Sequence, residues 1–172
     1  MSASPILLLT LHTEEQVILA NQLMRLDNTA NVWHLDATGS VIRWEKDSPP
    51  VYYYALVQAM NQKGMPALPL LEFLSNRHSI AQLETAFNFW WSPIKKFCLK
   101  PHFIVVDFSW ALIHSALAIF ANETIDSHLK RLWLRFFPGE SDDNFSIRIC
   151  ASHFIKSVQR RISRQNVPSQ VS

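Results

Sequence analysis

The stretch that decides the reading is Ile104–Ile113, IVVDFSWALI: an apolar run, an aspartate where it stops, a serine, then residues that suit a helix. A β-branched run closed by a polar break reads as a buried strand. Pro101 restarts the chain, so the strand is expected over His102–Asp107, and Ser109 can cap a helix running toward Asn122. Only fourteen residues of the chain are acidic. A carboxylate at the mouth of so apolar a strand therefore needs a reason, although Asp107 taken alone reads equally well as a helix cap.

A second stretch repeats the arrangement. Val32–Ser40, VWHLDATGS, places Asp36 inside a strand-like run over Val32–Thr38, bounded by Asn28–Asn31 before it and Gly39 after. Alternation puts Asp36 on the face of Val32, His34 and Thr38. An unpaired carboxylate on a covered face is costly, so Asp36 is expected to have a metal, a donor or solvent.

Outward from these two runs the elements follow in order. Thr13-Glu14-Glu15-Gln16 is a capping box opening a helix to Leu26, with Val17, Ala20, Leu23 and Met24 on its apolar side. Val51–Met60 and Leu68–Leu74 read as strands two and three of a meander, joined by a turn-like segment. Ser79-Ile80-Ala81-Gln82 opens an amphipathic helix on which Ile80, Leu83, Phe87, Trp90 or Trp91, and Ile94 recur toward Phe97, with Pro93 expected to kink it or end it early. After the helix that follows Asp107, a mixed, partly helical region runs to Phe137 and the turn PGESDDN leads to a last strand, Phe145–Cys150. A basic helix over Ser152–Ser163 closes the domain. Three meander strands followed by helix–strand alternation predict an α/β chain with a mixed sheet.

Composition narrows the function classes. At 172 residues and 48% hydrophobic, the chain can bury one good core as one domain. The load of six Trp and eleven Phe is better explained by a bulky core than by a partner surface. A net charge of +2 does not identify a nucleic-acid partner by itself. Two cysteines, Cys98 and Cys150, suggest no disulfide framework and a reducing compartment. The apolar run Ile6–Leu11 has no basic region before it and is too short to span a membrane, so neither a signal peptide nor a membrane partner is expected. With three glycines there is no phosphate-cradling loop, and no nucleotide cofactor is expected.

The stretches HLDATGS, IVVDFSWALIHSAL and ICASHFIKSV resemble the core of Mutator-like (MULE) transposases, which have a ribonuclease H-like fold. The resemblance covers Asn31 to Arg161, and its specificity lies in the order and spacing of the motifs together. It implies a ribonuclease H-like core over 31–165, an N-terminal helical extension over 1–30 and a disordered tail over 166–172. It also implies that the first and fourth strands are parallel neighbours, with Asp36 and Asp107 as catalytic metal ligands. Two crowded carboxylates repel unless a cation lies between them, and Mg²⁺ or Mn²⁺ suits such oxygen ligands. Ions held there serve phosphodiester cleavage and strand transfer.

The sequence departs from that family at its third carboxylate, a glutamate on a later helix: no Asp or Glu follows Asp143. Glu72 and Glu123 are the substitutes to weigh, Glu72 being equally suited to a solvated face and Glu123 lying on the wrong helix. Cys150-x-x-His153 matches the family's Cys-x-x-His and has a zinc-ligand spacing, but zinc needs four ligands, so Zn²⁺ is disfavoured and a half-site is the better description. Lys156, Arg160, Arg161 and Arg164 line one side of the last helix with no acid nearby, suiting phosphates by charge, although a solvated helix face explains them nearly as well. Lys95, Lys96 and Lys100 sit beside Trp90 and Trp91, where a base would stack were the rings exposed.

Two functions are therefore expected. The first is a transposase-derived domain acting on DNA, inactive as this chain alone for want of the third acid. The second is a non-catalytic nucleic-acid or protein binding module that keeps the fold. The resemblance places the chain in the nucleus, with the cytoplasm as the alternative.

Overall fold

The computed structural model describes residues 6–26, 31–42, 48–59, 66–98, 100–134 and 145–165. The expected turn at residues 138–144, the tail at 166–172, the boundary at residues 28–30 and the last residue of the strand expected to reach Met60 lie outside these.

The elements are β1 (Leu8–Leu11), α1 (Glu14–Leu26), β2 (Val32–Ile42), β3 (Val51–Gln58), β4 (Leu68–Ser75), α2 (Ile80–Ile94), β5 (Phe103–Val106), α3 (Trp110–Ala116) with a π-helical continuation (Leu117–Ala121), α4 (Ile125–Leu134), β6 (Ser146–Ile149) and α5 (Ala151–Gln165). They build an α/β chain around one six-stranded mixed sheet in the order β1-β4-β3-β2-β5-β6. β2, β3 and β4 form the antiparallel meander, and β5 and β6 add as parallel strands on the other side of β2. β1, which the sequence did not announce, pairs antiparallel with β4 as an added edge.

Local chemistry explains the helix ends. The Thr13 backbone N–H donates to Gln16 Oε1 at 2.8 Å and the Gln16 N–H to Thr13 Oγ1 at 3.3 Å, the reciprocal box that opens α1. Ser79 Oγ accepts from the Gln82 N–H at the start of α2. Pro93 lies one residue before the end of α2, which stops at Ile94 rather than at Phe97. The π turn closes on Asn122, whose left-handed backbone (φ 56°) is tolerated by a short amide side chain.

The helices α1, α2 and α3 share one face of the sheet. Trp33 and Leu35 of β2, Tyr54 and Leu56 of β3, Phe73 of β4 and Ile104 and Val106 of β5 are buried there, against Val17, Ala20 and Met24 of α1 and Leu83, Phe87, Trp90 and Trp91 of α2. The helical spacing of Trp90 and Trp91 favours core over base stacking, and both rings are core, edge-on to Trp33 or Phe120. Trp110, Trp133, Phe89, Phe97, Phe108 and Phe154 are exposed, so the aromatic load divides between core and surface. On the opposite face, among the described residues, His34, Asp36 and Thr38 are exposed and Tyr53, Val57 and Val105 half-buried. Asp36 therefore avoids the expected burial penalty through solvent: strand alternation correctly grouped it with His34 and Thr38, but these helices cover the other face.

A candidate metal centre beside the ends of two parallel strands

Register brings the two aspartates together. β2 and β5 pair in parallel with Leu35 opposite Val106, so Asp36, midway along β2, and Asp107, the first residue after β5, stand side by side. β6 lies parallel on the far side of β5 with Ile149 opposite Val106, and the Cys150 N–H donates to Val106 O at 2.8 Å. The chain turns there into α5, where the Phe154 N–H donates to Cys150 O at 2.9 Å, and the first turn carries His153 back over Asp107. Carboxyl ends of parallel strands are where open α/β sheets bind ligands.

One ligand atom from each of Asp36, Asp107 and His153 lies within 4.8 Å of the other two, and among the described residues this is the group arranged to hold a cation. Two ligands on opposite sides of an ion at ~2.1 Å stand about 4.2 Å apart, so small rotamer changes close the shell. The group borders a pocket of about 480 Å³ on the face away from α1, α2 and α3, lined also by His34, Val57, Val105 and Cys150. Asp36 Oδ1 accepts from the Ala37 N–H at 2.9 Å. Asp107 Oδ1 is enclosed and accepts no hydrogen bond, although His153 Nδ1 lies against it as an ion-pair partner. Two oxygen donors and an imidazole nitrogen gathered beside a pocket are a donor set that a divalent transition ion can use.

The electrostatics agree. Burial raises the Asp107 carboxyl above its ordinary value, and the Asp36 carboxylate raises it further, against the lowering influence of His153 and Lys156. A raised acid holds its proton more tightly in the folded state, so it withdraws stability as pH rises from the ordinary aspartate value of 3.8 through the folded one. Asp107→Asn cannot ionise. In chelator at pH 7 the variant is expected to melt at a higher temperature than the parent chain. The difference should vanish as pH falls to 3.8. A lower melting temperature for Asp107→Asn at pH 7 would show that the carboxylate is structurally satisfied.

Behind Asp107 a second network holds the strand end. Ser109 occupies the N-cap position of α3 but makes no side-chain cap there. Its Oγ instead pairs with His78 Nε2 at 2.9 Å, and His78 Nδ1 pairs with Tyr54 OH at 2.8 Å. Burial lowers the His78 imidazole pKa. The Ser109 N–H closes a turn onto Asp107 O at 2.7 Å. The expected cap is thus replaced by a tie from the Asp107–Ser109 turn to β3, which fixes the backbone that aims Asp107.

The remaining sequence candidates fall in three places. Glu72 shares a cross-strand row with Ala55 and Asp36, two strand spacings or roughly 10 Å from Asp36, and its carboxylate accepts from Tyr53 OH. Glu123 is bound to Arg131 and His128 beside α4. Neither belongs to the Asp36–Asp107–His153 group. Cys150 is half-buried at a strand end with a free thiol and lines the same pocket as His153, but His153 Nδ1 faces Asp107. Lys156, Arg160 and Arg161 are exposed on α5, and the Arg164 side chain lies outside the described residues. Lys95, Lys96 and Lys100 are exposed at and beyond the end of α2. No helix among the described residues is long and apolar enough to cross a membrane.

The sequence reading missed His153 as the partner of the two aspartates. The signal was its place one turn beyond the last strand, but that spacing also fits a zinc half-site and drew the histidine toward Cys150. In comparisons with protein-family models, with curated proteins and with solved structures, the chain matches none of them.

Proposed function

We propose that this chain is a ribonuclease H-like domain related to Mutator-like transposases, which binds DNA and holds a divalent cation between Asp36 and Asp107 for phosphodiester chemistry. The observation that carries the reading is the convergence of those two carboxylates, with His153, from parallel neighbouring strands. Three further features support it. The order β4-β3-β2-β5-β6, a meander extended by two parallel strands with helical crossovers, is the connectivity expected of that fold. The site opens to solvent on the face away from α1, α2 and α3, where a phosphate backbone has access. His153, Lys156 and Arg160 follow one another along one side of α5 at helical spacing, so positive charge leads away from the carboxylates.

A divalent ion in this site supplies Lewis-acid activation of a phosphodiester oxygen. The protein's own part is to hold that ion with Asp36 and Asp107, to fix Asp107 through the Ser109–His78–Tyr54 tie, and to draw the phosphate with Lys156 and Arg160. No carboxylate follows Asp143 to complete the family's acidic triad, so DNA cleavage by this chain alone is expected to be weak or absent.

Calorimetry with Mn²⁺ tests the reading. The parent chain is expected to bind the ion, and Asp36→Ala, which removes a ligand, to weaken binding by more than the roughly 10- to 100-fold that loss of a group merely supporting a ligand costs. Unchanged binding in Asp36→Ala would overturn it. The second reading, a non-catalytic nucleic-acid module, rests on α5, on which every residue from Phe154 to Ile162 is exposed with Lys156, Arg160 and Arg161 among them. It predicts DNA binding that Asp36→Ala leaves intact and Lys156→Glu with Arg160→Glu abolishes, with no Mn²⁺ binding at all.

A further inference from the structure

We infer that His153 is the third ligand of this centre and that it makes the site selective for borderline first-row cations, such as Mn²⁺, over Mg²⁺; the inference rests on the metal reading above. Three observations carry it. One ring nitrogen of His153 and one oxygen each of Asp36 and Asp107 lie within 4.8 Å of one another. Asp107 Oδ1, the atom that His153 faces, is enclosed and accepts no hydrogen bond, so the imidazole is placed beside the oxygen without serving as a well-aligned donor to it. The group also opens on a pocket large enough to admit water or phosphate oxygens for the remaining coordination positions.

The donor set then fixes the preference. Mg²⁺ is a hard ion that takes oxygen and sheds water reluctantly, and an imidazole nitrogen offers it little. The later first-row ions suit imidazole well, and Mn²⁺, at the weak end of that series, still takes a nitrogen ligand more readily than Mg²⁺ does. Two carboxylates and a neutral imidazole also carry one negative charge fewer than three carboxylates, which weakens the electrostatic attraction on which Mg²⁺ depends. Replacing a third acid by histidine thus changes which ion the centre accepts. It also gives His153 a role that needs no fourth zinc ligand and leaves the Cys150 thiol outside the cluster.

The test uses the full chain and the ions Mn²⁺ and Mg²⁺ alone, with thermal melting in chelator as the folding control. The parent chain is expected to bind Mn²⁺ at least about tenfold more tightly than Mg²⁺. His153→Ala should lose most of the Mn²⁺ affinity while barely changing that for Mg²⁺, and His153→Asp should raise Mg²⁺ affinity and narrow the ratio. Pulsed electron paramagnetic resonance of the bound Mn²⁺ should show nitrogen coupling in the parent chain and none in His153→Asp. Persistence of that coupling would assign it to another imidazole, such as His34 in the same pocket, and overturn the inference. Equal affinities for the two ions, or indifference of Mn²⁺ binding to His153→Ala, would also overturn it while Asp36-dependent binding kept the metal reading intact. Mn²⁺ binding that ignores both Asp36→Ala and His153→Ala, or no binding, would remove both.

Discussion

Replacing Trp33 with alanine is expected to lower the unfolding free energy by about 3–5 kcal/mol, the range for truncating a large aromatic in a core. Trp33 is fully buried at the centre of the sheet. Trp90, Trp91 and Phe120 stand edge-on to it with ring centroids at 5.9, 6.0 and 5.9 Å. Such aromatic pairs add about 0.5–1.5 kcal/mol each beyond the area they bury. Domains of this size hold only about 5–15 kcal/mol, so the variant would sit near its unfolding threshold. Trp33→Phe should cost far less, because the Trp33 indole N–H is buried without a hydrogen-bond partner and phenylalanine removes that unmet donor along with the extra ring volume. Urea unfolding measures both: the midpoint should drop steeply for Trp33→Ala and slightly for Trp33→Phe, with the same slope. Equal losses would show that ring size, not the unsatisfied donor, governs this site.

The same strand links this core to the site. Three residues after Trp33, and on the other face of β2, stands Asp36. The aromatic cluster is therefore the anchor against which one carboxylate is held, and saturating Mn²⁺ should return part of the stability lost in Trp33→Ala, about 2.7 kcal/mol at 100 times Kd.

How much of this was legible depended on whether the signal was local. α1 and α2 carry their own start signals in Thr13 and Ser79, and their apolar stripes name most of the buried residues, although Ile80 sits exposed in the first turn and Leu23 and Ile94 are only half-buried. β5 was legible as an apolar run with a break, whereas β2 was legible only at its start: it runs on through Gly39 to Ile42, past the end expected at Thr38, because pairing with β3 resumes at Ile42 opposite Val51. β1 was not legible, because LLTL at a sheet edge is half-exposed and acquires its strand character only from pairing with β4. The cap assigned to Ser109 failed because His78 and Tyr54, distant in sequence, compete for its hydroxyl. The exposure of Asp36 was illegible for a general reason: alternation divides a strand into two sides but does not say which side the helices choose. His153 followed the same rule. Its distance from Cys150 is written in the sequence, whereas its approach to Asp107 requires β6 to pair with β5 and turn directly into α5.

That last dependence makes Glu123→Ala the second large effect, an expected loss of about 1.5–3 kcal/mol, the scale of charged hydrogen bonds, kept below that of a fully buried ion pair because the groups are partly solvated. Glu123 Oε1 accepts from Arg131 Nε at 2.6 Å and Oε2 from Arg131 Nη2 at 3.0 Å, a bidentate pair, while His128 Nδ1 meets Oε2 at 2.8 Å. From this cluster two bonds reach the last strand: Arg131 Nη2 donates to Phe145 O at 2.9 Å, and the Ile147 N–H donates to His128 Nε2 at 3.4 Å. An acceptor at Nε2 puts the imidazole proton on Nδ1, where it donates to Glu123. Hydrogen bonding from Arg131, with help from His128, holds the Glu123 carboxyl below its ordinary value. A depressed acid contributes stability above its unfolded pKa and loses it as pH falls through the folded one, so the window lies below the ordinary glutamate value of 4.5. The parent chain should therefore lose stability below pH 4.5 more steeply than Glu123→Gln, which carries no titrating group. The site should feel the change as well. Without Glu123 the ties to β6 loosen, the Cys150 N–H that pairs with Val106 should exchange with solvent faster, and His153 should be less firmly placed over Asp107. Weaker Mn²⁺ binding in Glu123→Ala, with Asp36 and Asp107 untouched, would mark Glu123 as a positioning residue. Unchanged Mn²⁺ affinity beside a full stability loss would confine it to the scaffold.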